Sequence, residues 1–185
     1  MNYHRVVIQL LTLGISLTEK HHHPFSRKIY DKAYKSLNFL YQCSQEENGF
    51  LPNYGANDGA WFFPLSDTEY GDFRPQLNSL HEILTGICFY DSENIKEEAQ
   101  WMGIENSSAT NHYPVLEKEK GMLKFPVGGY YLIQENDTFT FIKCGKYKDR
   151  PSQADNLHID IWYKGKNIVC DGGSYKYNTE ERLVK

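Results

Sequence analysis

Apolar residues follow two different periods along the chain, helical in the first half and alternating in the last third. Apolar residues recur near helical spacing over 6–17, which predicts a first, largely buried helix. Pro24 opens a second, amphipathic helix, and Pro75 starts a third at a first-turn position that tolerates proline. A shorter helix is predicted at 95–101. The inner stripe of the second helix consists of Tyr30, Ala33, Tyr34, Leu37 and Tyr41.

Beyond the helical part the pattern alternates, as is typical of strands. Alternation places His158, Asp160 and Trp162 on one face of the fourth strand. Helices followed by strands predict an α+β chain with segregated domains. Strands are predicted at 122–125, 130–134, 138–144, 157–163 and 167–171, with hairpin turns at 135–137 and 164–166.

Two segments interrupt the periodic pattern. Residues 46–74 are rich in turn residues and have no sustained period. They carry too many aromatic residues for disorder, so we expect an ordered loop, and long ordered loops are usually functional. Residues 106–119 are polar and charged, which predicts a linker between two domains. The aromatic residues of the loop are Phe50, Tyr54, Trp61, Phe62, Phe63, Tyr70 and Phe73.

Composition narrows the function classes. A formal net charge of -4 gives no basic surface for nucleic acid. The aromatic share of 15% suits sugar rings, but it suits an ordinary core too, and the core is the favoured interpretation. The four cysteines form no CxxC pair, which favours free thiols over a zinc knuckle or a disulfide scaffold. The first apolar run is too short to span a bilayer, and no signal-peptide cleavage site follows it.

Three sequence blocks, taken in their order and spacing, resemble the heparinase II/III-like polysaccharide lyase family. The nearest likeness is to its bacterial members from surface-polysaccharide gene clusters. The third block is the most specific, and the match covers most of the chain. The blocks are Asn2-Tyr3-His4-Arg5, the segment from Asn53-Tyr54-Gly55 to Asp72-Phe73-Arg74-Pro75, and the segment from Arg150-Pro151-Ser152-Gln153 to His158-Ile159-Asp160, which continues to Asp171-Gly172-Gly173.

The resemblance implies the end of an (α/α) toroid followed by the start of an antiparallel β-sandwich, with the active cleft between them. The helix-to-strand order agrees with this. The implied domains are a truncated toroid part at 1–105, a linker at 106–120 and a truncated sandwich part at 121–185. It also implies that the chain is a piece of a longer protein, whose localisation stays open. We expect the isolated piece to be inactive and poorly stable, because its toroid part cannot close a core.

The implied reaction assigns candidate residues. A lyase neutralises the carboxylate of a uronic acid, removes the neighbouring proton and protonates the leaving oxygen. Asn2 matches an asparagine that binds the carboxylate, although it could also cap a helix. His4 is a candidate acid or base, or a packed structural histidine. Tyr70 is the candidate catalytic tyrosine because it follows an Asp-Gly motif, and Tyr54 is the second candidate.

Other candidates would bind substrate or metal. The turn before Trp61 could direct its ring into the cleft, and Arg74 could bind a carboxylate bidentately or pair with Asp72 or Asp67. Gln153 stands where many family members have a histidine; glutamine can hydrogen-bond substrate but is neither a base nor a good zinc ligand.

His158 could replace that histidine as a catalytic residue, or line a sheet. Asp171 could hold a metal in the family manner, but a turn cap before Gly172 is favoured. A structural divalent metal, Zn or Ca, is therefore the one cofactor that the resemblance allows.

The leading hypothesis is a lyase that cleaves an acidic, uronic-acid polysaccharide or oligosaccharide by β-elimination. The alternative is a non-catalytic carbohydrate-binding member, suggested by Gln153. A third is a glycoside hydrolase with paired carboxylates from Asp58, Asp72 and Asp155. Neither nucleic acid nor a membrane span is expected, and the sequence does not identify the polymer.

Overall fold

The computed structural model describes residues 1–55, 57, 59–104, 113–146 and 155–172 of the 185-residue chain. Helices precede strands, which confirms the order predicted from the change of period. The helices are α1 (Asn2–Lys20), α2 (Arg27–Cys43), α3 (Arg74–Thr85) and α4 (Glu93–Trp101). The strands are β1 (Gly121–Phe125), β2 (Tyr130–Gln134), β3 (Thr138–Lys143), β4 (His158–Tyr163) and β5 (Lys166–Val169).

Helix α1 buries a different face from the one that its apolar residues predicted. Val7, Leu10 and Leu17 are about half exposed. The buried residues are Asn2, Arg5, Ile8, Gln9, Thr12 and Ile15. The prediction of a largely buried apolar helix over 6–17 was therefore wrong about the face that is buried. Polar partners on α3 and α4 keep polar side chains of α1 in the core instead.

These polar partners converge on Glu98 of α4. Its Oε2 accepts a hydrogen bond of 3.0 Å from Gln9 Nε2 and one of 2.6 Å from Gln76 Nε2. Glu98 is fully buried. Three helices are thus joined by one carboxylate, and pairing is what makes buried polar groups tolerable in a core.

The five strands form an antiparallel meander in the order β1-β2-β3-β4-β5. A row of buried side chains crosses its inner face, since Leu123 pairs with Leu132, Leu132 with Phe141, and Phe141 with Asp160. On the outer face Met122 and other apolar residues are exposed. The predicted shared face of His158, Asp160 and Trp162 is confirmed, and it is the inner one.

An aromatic seam joins the helices to the inner face of the sheet. The Phe39 ring of α2 lies 5.0 Å from the ring centroids of both Phe125 and Tyr130. Tyr54, in the loop between α2 and α3, lies 5.8 Å from Tyr130 and 5.9 Å from Phe141. The aromatic loop is therefore ordered against the sheet. No described helix combines the length and apolarity needed to cross a membrane.

Candidate active site

Two pockets of about 190 Å³ each flank Asn2 at the start of α1. The first, called here the Tyr70 pocket, is lined by Asn2, Asn57 and Tyr70 among others. The second, the His4 pocket, is lined by Asn2, His4, Tyr54 and Tyr130 among others. Because Tyr130 belongs to β2, the His4 pocket lies where the helices meet the sheet, as expected for the cleft.

The Asn2 side chain is buried and has one amide atom engaged. Its Oδ1 accepts a hydrogen bond of 3.0 Å from Arg5 Nη2. Its Nδ2 is buried with no hydrogen-bond partner among the described residues. A buried donor without a partner carries a free-energy cost, so the site is suited to an acceptor such as a carboxylate oxygen.

Arg5 lies beneath this asparagine in an aromatic cage. Its guanidinium carbon is 5.1 Å from the ring centroid of Trp61, 4.2 Å from that of Tyr70 and 4.5 Å from that of Phe73. Its Nη1 donates a hydrogen bond of 2.5 Å to the carbonyl oxygen of Tyr70. Arg5 therefore links α1 to the aromatic loop. Arg5 belongs to the first of the three sequence blocks, but nothing in the sequence marks it as a site residue.

Tyr70 presents its hydroxyl to the pocket that it shares with Asn2. The hydroxyl donates a hydrogen bond of 2.9 Å to Asn57 Oδ1. The same oxygen accepts a hydrogen bond from the Gly59 amide at 3.2 Å, which closes the turn before Trp61. The Trp61 ring then meets the edge of Tyr70 at 5.8 Å. The structure thus brings together Asn2, Tyr70 and Trp61.

His4 lines the second pocket and is neutral at neutral pH. Burial lowers its pKa to about 4. Its Nε2 pairs with the Ser36 hydroxyl, and its ring stacks on Phe39 at a centroid distance of 5.7 Å. A neutral imidazole has a nitrogen lone pair that can accept a proton, but the low pKa makes His4 a weak base at neutral pH.

His158 lies outside both pockets. Its side chain is only 8% exposed, and its ring packs 5.7 Å from Tyr54 and 6.0 Å from Phe141. Its Nε2 is 3.7 Å from Asp160 Oδ2, and its Nδ1 is 3.9 Å from Asp171 Oδ2. Tyr54 thus lines the His4 pocket and also contacts the ring of His158.

Two acidic side chains flank His158 among the described residues. Asp171 approaches His158 from one side and Asp160 from the other. The described part of the chain nevertheless holds no group of three or more histidine, cysteine or acidic side chains arranged for a metal ion. The described residues therefore do not assemble the structural zinc or calcium site that the resemblance allows, and no chemical step is assigned to one.

Arg74 lines neither of the two pockets that flank Asn2. Its Nε and Nη2 donate to the carboxylate of Asp72 at 2.9 and 2.8 Å, which is the salt bridge named above as the alternative to substrate binding. Both residues line a separate pocket of about 480 Å³, here the Arg74 pocket, that does not include Asn2. Asp72 is thereby engaged by Arg74, while Asp58 and Gln153 lie outside the described residues.

Comparison with known proteins supports the same architecture. Residues 117–184 match the family model described as Heparinase II/III-like, C-terminal. No curated protein matches the sequence. Residues 117–184 are therefore similar to the heparinase II/III-like C-terminal family, which confirms the resemblance stated above.

Solved structures share the fold over nearly the whole chain. A heparinase III gene product with methylated lysines matches at a TM-score of 0.64 and 19% identity, over 98% of this chain and 25% of that one. The heparan sulfate lyase HepC from Pedobacter heparinus matches at 0.61 and 17%, over 98% of this chain and 26% of that one. The chain thus spans about a quarter of their length.

Proposed function

We propose that the protein containing this chain is a polysaccharide lyase that cleaves an acidic, uronic-acid polysaccharide by β-elimination. The observation that carries the proposal is the position of Asn2. Its buried, unpartnered Nδ2 belongs to a residue that lines both the Tyr70 pocket and the His4 pocket. A carboxylate-binding amide is thereby flanked by two groups able to transfer protons. The match of residues 117–184 to the C-terminal family model supports lyase chemistry at the level of the family.

In this reaction the sugar loses a proton from C5, and the electron pair of that C–H bond forms the C4=C5 double bond. The C4–O bond breaks, and its oxygen leaves with the pair and takes up a proton. Asn2 would donate from Nδ2 to the C5 carboxylate, which stabilises the negative charge that develops there. Tyr70 lies in the adjoining pocket with its hydroxyl oriented by Asn57, and would donate the proton that the leaving oxygen takes up.

His4 is the better candidate for the second proton-transfer group. It lines a pocket together with Asn2, whereas His158 lies behind Tyr54 and lines neither pocket. Burial holds His4 neutral, which leaves a lone pair for hydrogen bonding or proton transfer, although its low pKa makes it a weak base. His158 is better suited to support Tyr54 from the sheet.

The test uses the whole protein on a panel of uronic-acid polymers, with the ultraviolet absorbance of the unsaturated uronide as the readout. We expect the chromophore with at least one polymer. Tyr70→Phe should lower kcat by about 100-fold or more, because it removes the transferable proton. Tyr163→Phe is the matched control, since Tyr163 is about half exposed on the outer face of the sheet.

The other functions give different results. Binding of a polymer without any chromophore would favour the non-catalytic carbohydrate-binding protein. New reducing ends without the chromophore would favour the hydrolase. The lyase proposal is wrong if no polymer yields the chromophore and Tyr70→Phe behaves like the wild type.

A further inference from the structure

We infer that Arg5 is a positioning residue that fixes the amide of Asn2 toward the substrate carboxylate and holds Tyr70 beside it. The inference rests on the proposed lyase function and assigns to that site a residue that does not itself touch substrate. Arg5 follows Asn2 by less than one turn of α1, so both side chains lie on the same helix face.

The first step of the argument is the environment of the charge. Arg5 is completely buried, and among the described residues it forms no salt bridge. Burial lowers its pKa, and the groups that act in the opposite direction are Tyr70 and, from α4, Glu98. A buried cation held chiefly by aromatic faces and two hydrogen bonds is costly to stability. A role in the site explains why such a residue is placed there.

The second step concerns the asparagine amide. A guanidinium has only donors, so the Asn2 atom that faces Arg5 Nη2 must be the oxygen. The amide nitrogen is then turned the other way, and it is this nitrogen that lacks a partner among the described residues. Without Arg5 the amide could rotate and present its oxygen, which would repel a carboxylate. Arg5 therefore selects the orientation that binds an acidic sugar.

The third step concerns Tyr70. Arg5 holds the Tyr70 backbone through the carbonyl oxygen and places its charge 4.2 Å from the ring centroid. A nearby cation favours the charged phenolate over the neutral phenol. The same guanidinium thus prepares both halves of the site, the amide that binds the carboxylate and the phenol that gives up its proton.

The experiment measures binding as well as turnover in the whole protein. The probes are a uronic-acid oligosaccharide and the same oligosaccharide with its carboxylates reduced to alcohols. Arg5→Met should weaken binding of the uronate by about 10- to 100-fold, the scale of one charged hydrogen bond, and leave the reduced sugar unaffected. Arg27→Met is the matched control, because Arg27 also lies over a tyrosine ring, at 4.3 Å from Tyr113, but neither residue lines the Tyr70 pocket or the His4 pocket.

Turnover supplies the second readout. In Arg5→Met the fall of kcat/KM at high pH, where Tyr70 loses its proton, should shift to higher pH, because the phenolate loses its neighbouring cation. Arg5→Lys keeps the charge but not the fork of donors, so its pH profile should stay near the wild type while the uronate affinity falls. If Arg5→Met is unfolded, Arg5→Lys alone decides: unchanged uronate affinity in this variant would overturn the inference.

The outcomes separate the inference from the function on which it rests. Equal losses of affinity for the uronate and the reduced sugar would mean a merely structural role and overturn the inference. Absence of the chromophore in the wild type would overturn the lyase proposal, while selective loss of uronate binding would still support Arg5 as the residue that orients Asn2. A wild-type protein that binds neither sugar overturns both.

Discussion

Arg5 and Glu98 are both buried in the helical core and attract each other electrostatically, but the hydrogen bonds described for each come from neutral groups. Glu98 accepts from two glutamines, and Arg5 is enclosed by aromatic rings. Burial raises the pKa of Glu98 to about 7, although the glutamines and Arg5 oppose the shift. A carboxyl group with such a pKa changes charge near neutral pH inside the core.

Stability should therefore depend on pH through Glu98. Because its folded pKa of about 7 lies above the ordinary 4.5, the folded protein binds the extra proton, and stability falls as pH rises through this interval. Glu98→Gln removes the titration. As the pH rises from about 4.5 to about 8, the unfolding free energy of the variant should increase relative to that of the wild type by on the order of 3 kcal/mol. Denaturant unfolding at a series of pH values measures this.

The matched control is Glu93→Gln, since Glu93 is exposed on the same helix. Its unfolding free energy should follow the wild-type pH dependence. Parallel curves for wild type and Glu98→Gln over the whole pH range would contradict the prediction. A Glu98→Gln variant that becomes more stable relative to the wild type as the pH falls would contradict it as well.

At the scale of elements, the periods in the sequence predicted all of the described helices and strands, with ends that differ by a few residues. Periodicity reports which side chains share a face, but not which face meets a partner. Helix α1 shows this, because Val7 and Leu10 are exposed while Gln9 is buried. The partners that decide the matter, Gln76 and Glu98, are remote in sequence, and nothing in the α1 segment indicates them.

The aromatic loop is held at its base by Gly49. The Phe73 amide donates to the Gly49 carbonyl at 3.1 Å, which joins the two ends of the loop. Gly49 has a φ of +73°, and a Cβ there would lie 2.1 Å from Asp72 Oδ1. Gly49→Ala should destabilise the protein by about 2–4 kcal/mol, from the left-handed backbone together with the clash.

Gly121→Ala separates the two causes. Gly121 also has a left-handed φ, +86°, but no described atom lies within 4 Å of the position of a Cβ. This variant should lose only about 1–2 kcal/mol, the backbone part. Denaturant unfolding of both variants measures the difference. Equal losses would show that Asp72 moves away from the new methyl group without cost.

At the scale of the whole molecule, the candidate site is assembled from segments that are far apart in sequence. The sequence provided Asn2, His4 and Tyr70 as candidates through the resemblance, but not Tyr130, which reaches the His4 pocket from the sheet. Tyr130 carries no motif, and only the packing of β2 against α2 and Tyr54 places it there. The same packing separates Arg74 from the other candidates, since Asp72 holds it in another pocket.

Phe39 is the residue on which the contact between helices and sheet depends most directly. Its ring touches Phe125 and Tyr130 on the sheet and His4 in the pocket. Phe39→Ala should cost about 3 kcal/mol, because the aromatic contacts are lost on both sides of the seam. Phe39→Leu should cost less, since it keeps apolar volume. Phe62→Ala is the control, because Phe62 is 59% exposed.

A second measurement tells whether Phe39 also shapes the site. Burial is the main cause that lowers the pKa of His4 to about 4, and the Phe39 ring covers one face of that imidazole. Removing the ring admits water, so the pKa of His4 should rise toward its ordinary value of about 6.5. Nuclear magnetic resonance titration of His4 in Phe39→Ala follows this directly. An unchanged His4 pKa with lowered stability would mean that the seam supports the fold without controlling the protonation of the site.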